Sequence, residues 1–148
     1  MTATGTGQLW VIAAPSGAGK TSLVHKLLER DSTLKFSTSY TTRKPRSSEI
    51  HGRDYFFVSE AEFLEMKRDD AFLEHAQVFD HWYGTGREHV AALQSTGFTV
   101  VLEIDWQGAR QVRERAQRCR QLLQLRVVDV ERVQGGEPAD RSTGTVRA

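Results

Sequence analysis

A chain of 148 residues with 39% hydrophobic residues and a formal net charge of +1 is sized for one domain with a real core. So even a charge balance gives no global field to draw it to nucleic acid or an anionic membrane. No apolar run approaches the ~20 residues that span a bilayer, Cys119 stands alone and forms no disulfide within a monomer, and Met1 to Gln8 has no basic signal-type region. The expectation is a soluble, cytoplasmic protein with no nucleic-acid or membrane partner.

The first predicted elements are a strand and a helix. Leu9-Trp10-Val11-Ile12-Ala13 is a short apolar run suited to a buried strand, and Thr21 to Arg30 carries Leu23, Val24, Leu27 and Leu28 at helical spacing. Between them lie Ala14, Pro15, Ser16, Gly17, Ala18, Gly19 and Lys20, with Thr21 opening the helix. A strand, a glycine-rich turn and a helix beginning Lys-Thr form the context of a phosphate-binding P-loop. Glycines let backbone amides converge on a polyphosphate, and the helix N-terminus adds its positive dipole end. Lys20 would reach the outer phosphates and the Thr21 hydroxyl would ligate Mg²⁺. Ala14 stands where the pattern usually has Gly, a small-for-small exchange. An ordinary Gly-rich turn is the bland alternative, disfavoured because Gly19-Lys20-Thr21 falls where strand becomes helix.

Further along, Phe36 to Ser39 reads as a short strand, Tyr40 to Asp54 as polar and turn-rich, and Tyr55 to Val58 as another short strand. Ser59 with Glu62 makes a capping box that starts a helix over Glu60 to Arg68. A strand over Ala71 to Phe79, a loop His81-Trp82-Tyr83-Gly84-Thr85, and a helix over Arg87 to Ser95 stopped by Gly97 follow. Phe98 to Ile104 is a second apolar strand ending in Asp105, with Gly108 to Arg118 helical behind it. The pattern is a core α/β unit interrupted by a strand-rich insertion over about residues 36–86. Open α/β sheets bind ligands beyond the carboxyl ends of their strands, where the P-loop and Asp105 both fall. Glu103 and Asp105 are therefore candidates for Mg²⁺ or its bound water. Against this, Glu103 would merely close a strand and Asp105 would cap the next helix.

Two features of the insertion carry chemistry. Ser39-Tyr40-Thr41-Thr42-Arg43-Lys44-Pro45-Arg46 places three cations in four residues, with Glu49 and Tyr55 shortly after. Arginine forks match the bidentate geometry of phosphate and tyrosine hydroxyls can complete the cage, so beside a P-loop this suggests a second phosphorylated substrate; alone it would read as a solvated basic loop. Glu74 raises a purine question. An ionised carboxylate accepts two adjacent donors, which guanine presents on its Watson–Crick edge and adenine does not. Ser39 and Thr85 could donate to O6. A solvated strand glutamate is the competing account.

Taken together and in this order, Ala-Pro-Ser-Gly-Ala-Gly-Lys-Thr, Ser-Tyr-Thr-Thr-Arg-Lys-Pro-Arg, Glu49-Ile-His-Gly-Arg-Asp-Tyr-Phe-Phe-Val, Phe72-Leu-Glu-His-Ala, Tyr83-Gly-Thr and Leu102-Glu-Ile-Asp-Trp-Gln-Gly resemble the motifs of the guanylate kinase family over roughly residues 8–112. The resemblance implies a P-loop nucleoside monophosphate kinase fold, a parallel α/β sheet with a small strand-rich GMP-binding insertion, within a unit of residues 1–118. It implies transfer of the γ-phosphoryl of ATP to GMP with Mg²⁺. Ala14 to Thr21 would bind ATP, with Thr21 and Asp105 serving the metal. Arg43, Arg46, Tyr55 and Tyr83 would hold the GMP phosphate, Ser39, Glu74 and Thr85 would read guanine, and Asp105 would sit near GMP. Lys20, Arg43 and Arg46 would be the catalytic residues.

The match fades near Arg113 and is lost by Arg120. Residues 119–148 form a divergent tail in which only Leu122 to Val130 could make a substitute strand. The expectation is a truncated or frame-shifted member lacking the C-terminal strands and lid, its P-loop strand left with a bare edge, its kinase activity weak and its GMP binding retained. Two other functions stay open: a non-catalytic module of guanylate-kinase-like type that binds GMP or a phosphopeptide, and a kinase for AMP or a pyrimidine monophosphate. Gly19-Lys20-Thr21 argues against the first and Glu74 against the second.

Overall fold

The computed structural model describes residues 7–13, 19–118 and 125–129. Two four-stranded sheets organise them. The first, ordered β2-β7-β1-β8, takes β1 (Leu9–Ala13), β2 (Leu34–Phe36), β7 (Thr99–Ile104) and β8 (Leu125–Asp129), all parallel. Its helices are α1 (Lys20–Arg30), α3 (Arg87–Ser95) and α4 (Trp106–Arg118). The second, ordered β4-β3-β6-β5, takes β3 (Tyr40–Thr41), β4 (Phe56–Phe57), β5 (Phe72–Val78) and β6 (His81–Gly86), with α2 (Glu60–Arg68) between β4 and β5.

Period-two alternation explains why β1 and β7 read as continuous apolar runs. Leu9, Val11, Ala13, Val100 and Leu102 face one side, packing with Val90 of α3, Ala109 and Val112 of α4 and Leu73 of β5. Ile12 and Val101 face the other, packing with Val24 of α1 and Leu34. A strand buried on both faces needs apolar residues at every position, as parallel sheets do. Each Val, Leu or Ile among them, fully buried, contributes about 1.5–3 kcal/mol. The same alternation carries Glu103 onto the face occupied by Val101, which is the face of α1.

Several elements begin and end where the sequence places them. The α2 capping box is complete, with Glu62 Oε2 accepting from the Ser59 N–H at 2.7 Å and Ser59 Oγ from the Glu62 N–H at 3.1 Å. Helix α3 ends before Gly97, whose φ is 86°. Other elements differ. The strand expected over Phe36 to Ser39 is replaced by β2, which ends at Phe36, and β3, which begins at Tyr40. One strand pairs with β7 and the other with β6, so the chain crosses from sheet to sheet between them. Helix α4 starts at Trp106 rather than Gly108, because Asp105 caps it.

The segment His81 to Thr85, expected as a loop, is strand β6, antiparallel to both β3 and β5. A two-residue turn joins β5 to β6: Val78 pairs with His81, and Phe79 and Asp80 have φ of 47° and 63°. Both lie in the left-handed region, as a type I′ hairpin requires. The usual Asn-Gly signature is absent, so the turn was not legible. The glycines of β6 are not turn residues. A Cβ on Gly84 would lie 2.8 Å from the Phe72 ring, and one on Gly86 2.8 Å from the Tyr40 ring.

The bare edge expected beside the P-loop strand is not present. Strand β8 lies within Leu122 to Val130 and pairs with the outer side of β1, Leu9 opposite Leu125 and Ala13 opposite Asp129. β1 is therefore an interior strand.

Candidate functional site

The carboxyl ends of β1 and β7 open onto the start of α1. Gly19 adopts φ 80° and ψ 16°, a left-handed turn that suits glycine, and its carbonyl accepts the Leu23 N–H at 3.1 Å. The amides of the first helical turn are left without helical partners, which makes this end a ready anion site. Ala14, Pro15, Ser16, Gly17 and Ala18 lie outside the described residues, and Lys20 is described only as the first residue of α1.

Thr21, in that first turn, donates from Oγ1 to Glu103 Oε1 at 2.7 Å. Helix α1 and the end of β7 thus present a hydroxyl and a carboxylate side by side. Hard oxygen donors of this kind fit Mg²⁺, which is held through one or two such groups plus substrate phosphates. Among the described residues no group of three His, Cys, Asp or Glu is placed to hold a metal by itself. Asp105 is committed differently, its Oδ1 accepting the Gly108 N–H at 2.8 Å as the N-cap of α4. The carboxylate that meets Thr21 is Glu103, for which the sequence also allows a strand-closing role.

The basic loop builds an anion cage around one carboxylate. Arg43 presents its fork to Glu49, with Nη2 to Oε1 at 2.8 Å and Nη1 to Oε2 at 3.0 Å, while Nη1 also reaches the Lys44 carbonyl at 2.9 Å. The Arg46 N–H donates to Glu49 Oε2 at 2.7 Å. These bonds, Arg43 first, hold the Glu49 carboxyl down at about 2, and the same contact raises the Arg43 guanidinium. The guanidinium lies 5.5 Å from the Tyr55 ring centre and 5.9 Å from that of Phe57. Tyr55 and Tyr83 sit edge to face with centres 6.2 Å apart. Burial raises the Tyr55 hydroxyl first; the Glu103 charge is one of the smaller contributions in the same direction. The Arg46 side chain is exposed. Glu49 is the anchor of this cluster, a role its spacing from Arg43 and Arg46 did not disclose.

Glu74 and Thr85 face each other across β5 and β6. Thr85 Oγ1 donates to Glu74 Oε1 at 2.6 Å, and Glu74 is only 7% exposed. Burial pushes its carboxyl up to about 7, against the Thr85 hydrogen bond and with help from the charge of Asp105. The solvated-glutamate alternative is thereby excluded. Alternation along β6 sets Tyr83 and Thr85 on one face of the strand. Ser39 is half-buried just before β3, its carbonyl accepting the Phe56 N–H at 2.9 Å.

Three clusters result: Thr21 with Glu103, Arg43 with Glu49 and the tyrosines, and Glu74 with Thr85 near Asp105. Chemically they offer a metal–phosphate end, an anion cage and a buried acceptor for paired donors. Comparison with known proteins gives these clusters a context. Residues 6–124 match the family described as Guanylate kinase. The chain is 49% identical over 121 residues to the guanylate kinase of Escherichia coli strain K12, covering 80% of this chain and 58% of that protein. It is 50% identical over 113 residues to that of Legionella pneumophila strain Lens, covering 76% and 54%. Among solved structures it is similar to the guanylate kinase of Anaplasma phagocytophilum, with a TM-score of 0.64 and 33% identity over 84% of this chain and 60% of that one. The chain thus spans little more than half the length of the curated relatives it matches. Among the described residues no helix is long and apolar enough to cross a membrane.

Proposed function

Because the chain belongs to the guanylate kinase family, we propose that it binds GMP and ATP and carries out ATP-dependent phosphorylation of GMP to GDP. The observation that carries this reading is the buried Glu74–Thr85 pair on the same insertion as the Arg43–Glu49 cage. One takes the two donors of a guanine edge, the other the phosphate of the same nucleotide. The insertion, about residues 36–86, is then the acceptor-binding lobe, and the cytoplasm and purine nucleotide metabolism are its setting.

The acceptor's phosphate oxygen is already a nucleophile, so no general base is required. The work left to the protein is alignment and charge neutralisation. Arg43 would keep its Glu49-facing edge fixed and turn its remaining donors to the GMP phosphate, with the Tyr55 and Tyr83 hydroxyls completing the cage. Arg46 would close from the exposed side. Ser39 would address the base at O6, and Thr85 would do so by turning its one hydroxyl hydrogen away from Glu74, which then accepts the paired donors. The residues from Ala14 to Lys20 would cradle the ATP phosphates, with Lys20 drawing on the transferred group. Mg²⁺, held through Thr21 with Glu103 behind it and Asp105 nearby, would supply charge neutralisation at the phosphates.

Calorimetric titration of the purified chain with GMP, with AMP as control, tests the reading. Saturable binding of GMP and none of AMP supports it. Equal binding of both removes the guanine assignment, and binding of neither removes the acceptor site altogether.

A further inference from the structure

Strand β5 carries the guanine-reading candidate, and it is irregular at that residue. Phe72 pairs with Gly86 and Glu74 with Thr85, so β5 advances two residues while β6 advances one. Leu73 is the extra residue of a bulge and joins the core cluster of the first sheet. Bulges re-aim side chains and weaken the local ladder. Among the described residues β5 is also an edge strand, with no strand beside its outer backbone groups.

A side chain supplies what the ladder lacks. Gln111 of α4 accepts the His75 N–H on Oε1 at 3.1 Å and donates from Nε2 to the His75 carbonyl at 2.9 Å. This two-point bracket mimics one rung of a neighbouring strand, at the residue next to Glu74. It belongs to a stripe along α4. Gly108, one turn earlier, sits so close that a Cβ there would lie 3.0 Å from Glu74 Oε2. Arg115, one turn later, pairs with Asp70 just ahead of β5. Residues 108, 111 and 115 share a helix face, and that face grips the bulged end of β5 along its length.

We propose that Gln111 is a positioning residue for base selection: by bracketing His75 it fixes the bulged strand so that the Glu74 carboxylate meets both guanine donors. This rests on the reading of Glu74 as the guanine acceptor. A buried acceptor discriminates only if its geometry is held, since a displaced carboxylate keeps one donor of the base and loses the other. Both ends of the Gln111 amide are spent on the His75 backbone, so its role runs through β5.

The test uses the full chain and compares wild type with Gln111→Ala and Gln111→Glu. Binding of GMP, IMP, AMP and inorganic phosphate is measured by calorimetry, with thermal melts to establish folding. IMP lacks the exocyclic amine, so the GMP-to-IMP ratio reports whether both donors are still met. Gln111→Ala is expected to weaken GMP by about tenfold and compress the GMP-to-IMP ratio, while phosphate binding is unchanged. Gln111→Glu keeps an acceptor for the His75 N–H but loses the donor to its carbonyl, so it should fall between the two. Amide exchange at His75, slow in wild type, should speed up in Gln111→Ala, a readout independent of any ligand. A folded Gln111→Ala with an unchanged GMP-to-IMP ratio overturns the inference while leaving the site standing. A wild-type chain that does not prefer GMP over AMP overturns the reading of Glu74, and this inference with it.

Discussion

The two sheets are held together in different ways. In the first, strands β1 and β7 are packed by aliphatic side chains on both faces, from Leu9 and Leu102 on one to Ile12 and Val101 on the other. In the second, β3 and β4 are only two residues each, while β5 has seven. The sheet and its helix are held by aromatic contacts such as Phe63 of α2 on Phe72 of β5, with centres 4.4 Å apart, and by polar clusters around Glu49 and Glu74. Aliphatic burial is non-directional and tolerates any ligand state. Polar clusters are directional, and they leave donors and acceptors where a nucleotide can use them. The parallel sheet is built for stability, and on the proposed function the insertion would carry selectivity.

The largest expected effect tests whether the two sheets are one folding unit. Leu102→Ala should cost about 2–5 kcal/mol and Phe63→Ala about 3–5 kcal/mol in urea unfolding. Because Leu73 of β5 is buried in the core cluster of the first sheet, both variants should move a single transition. If Phe63→Ala abolished GMP binding without shifting that transition, the insertion would unfold by itself and the division of labour between the sheets would be sharper still.

The next effect belongs to the base-reading end. A Glu74 carboxyl pushed up to about 7 binds a proton in the folded chain between its ordinary value near 4.5 and that point. The folded state then holds more protons than the unfolded one, so stability is full below about 4.5 and falls as pH rises through 7. The loss is about 3 kcal/mol when complete. Glu74→Gln should flatten this profile and leave the chain at least as stable at pH 8, while GMP binding drops by about a hundredfold. Urea melts from pH 5 to 8 check the first part and calorimetry the second. In wild type, GMP affinity should rise with pH over the same interval, since the base needs the ionised carboxylate.

Glu49 answers with the opposite sign. Its carboxyl is held at about 2, so its contribution is present above the ordinary value near 4.5 and is lost only as pH falls towards 2. Around neutrality its ionisation is constant. Glu49→Gln should lower stability near pH 7, where that contribution is present, by an amount that does not change between pH 5 and 8. GMP and inorganic phosphate should both weaken by about fivefold to tenfold, because Arg43 loses its fixed edge. A variant that weakens GMP but not phosphate would remove Glu49 from the anion cage.

What the sequence disclosed follows the same division. Strands β1 and β7 and helix α1 were legible because aliphatic periodicity is their cause, and α2 because its Ser59–Glu62 box is local. Strand β6 was not, since His81-Trp82-Tyr83-Gly84-Thr85-Gly86 has a loop's composition and its turn lacks the expected glycine. Its glycines answer to the rings of Phe72 and Tyr40, which lie far off in sequence. The candidate site residues stood out in the sequence by type, but their partners did not. Thr21 with Glu103 and Gln111 with His75 are contacts between elements 82 and 36 residues apart. The pairing of β8 with β1 has the same character, resting on register across the whole chain.

The smallest effect separates two roles that share one residue. Asp105 caps α4 through the Gly108 N–H, and its charge also helps raise Glu74. Asparagine caps as well as aspartate, so Asp105→Asn should keep stability within about 0.5 kcal/mol, whereas Asp105→Ala should lose about 1 kcal/mol. With the charge gone, the Glu74 carboxyl should move down towards its ordinary value, and the pH at which stability falls should move down with it. If Asp105 serves only as a cap, GMP affinity at pH 8 is the same in Asp105→Asn and wild type, because Glu74 is ionised in both. If its second oxygen addresses the nucleotide or its metal, affinity falls in Asp105→Asn although the helix and the Glu74–Thr85 pair are intact. The asparagine variant thus isolates the charge from the cap, and the pH 8 titration decides whether the insertion's selectivity extends onto the core sheet.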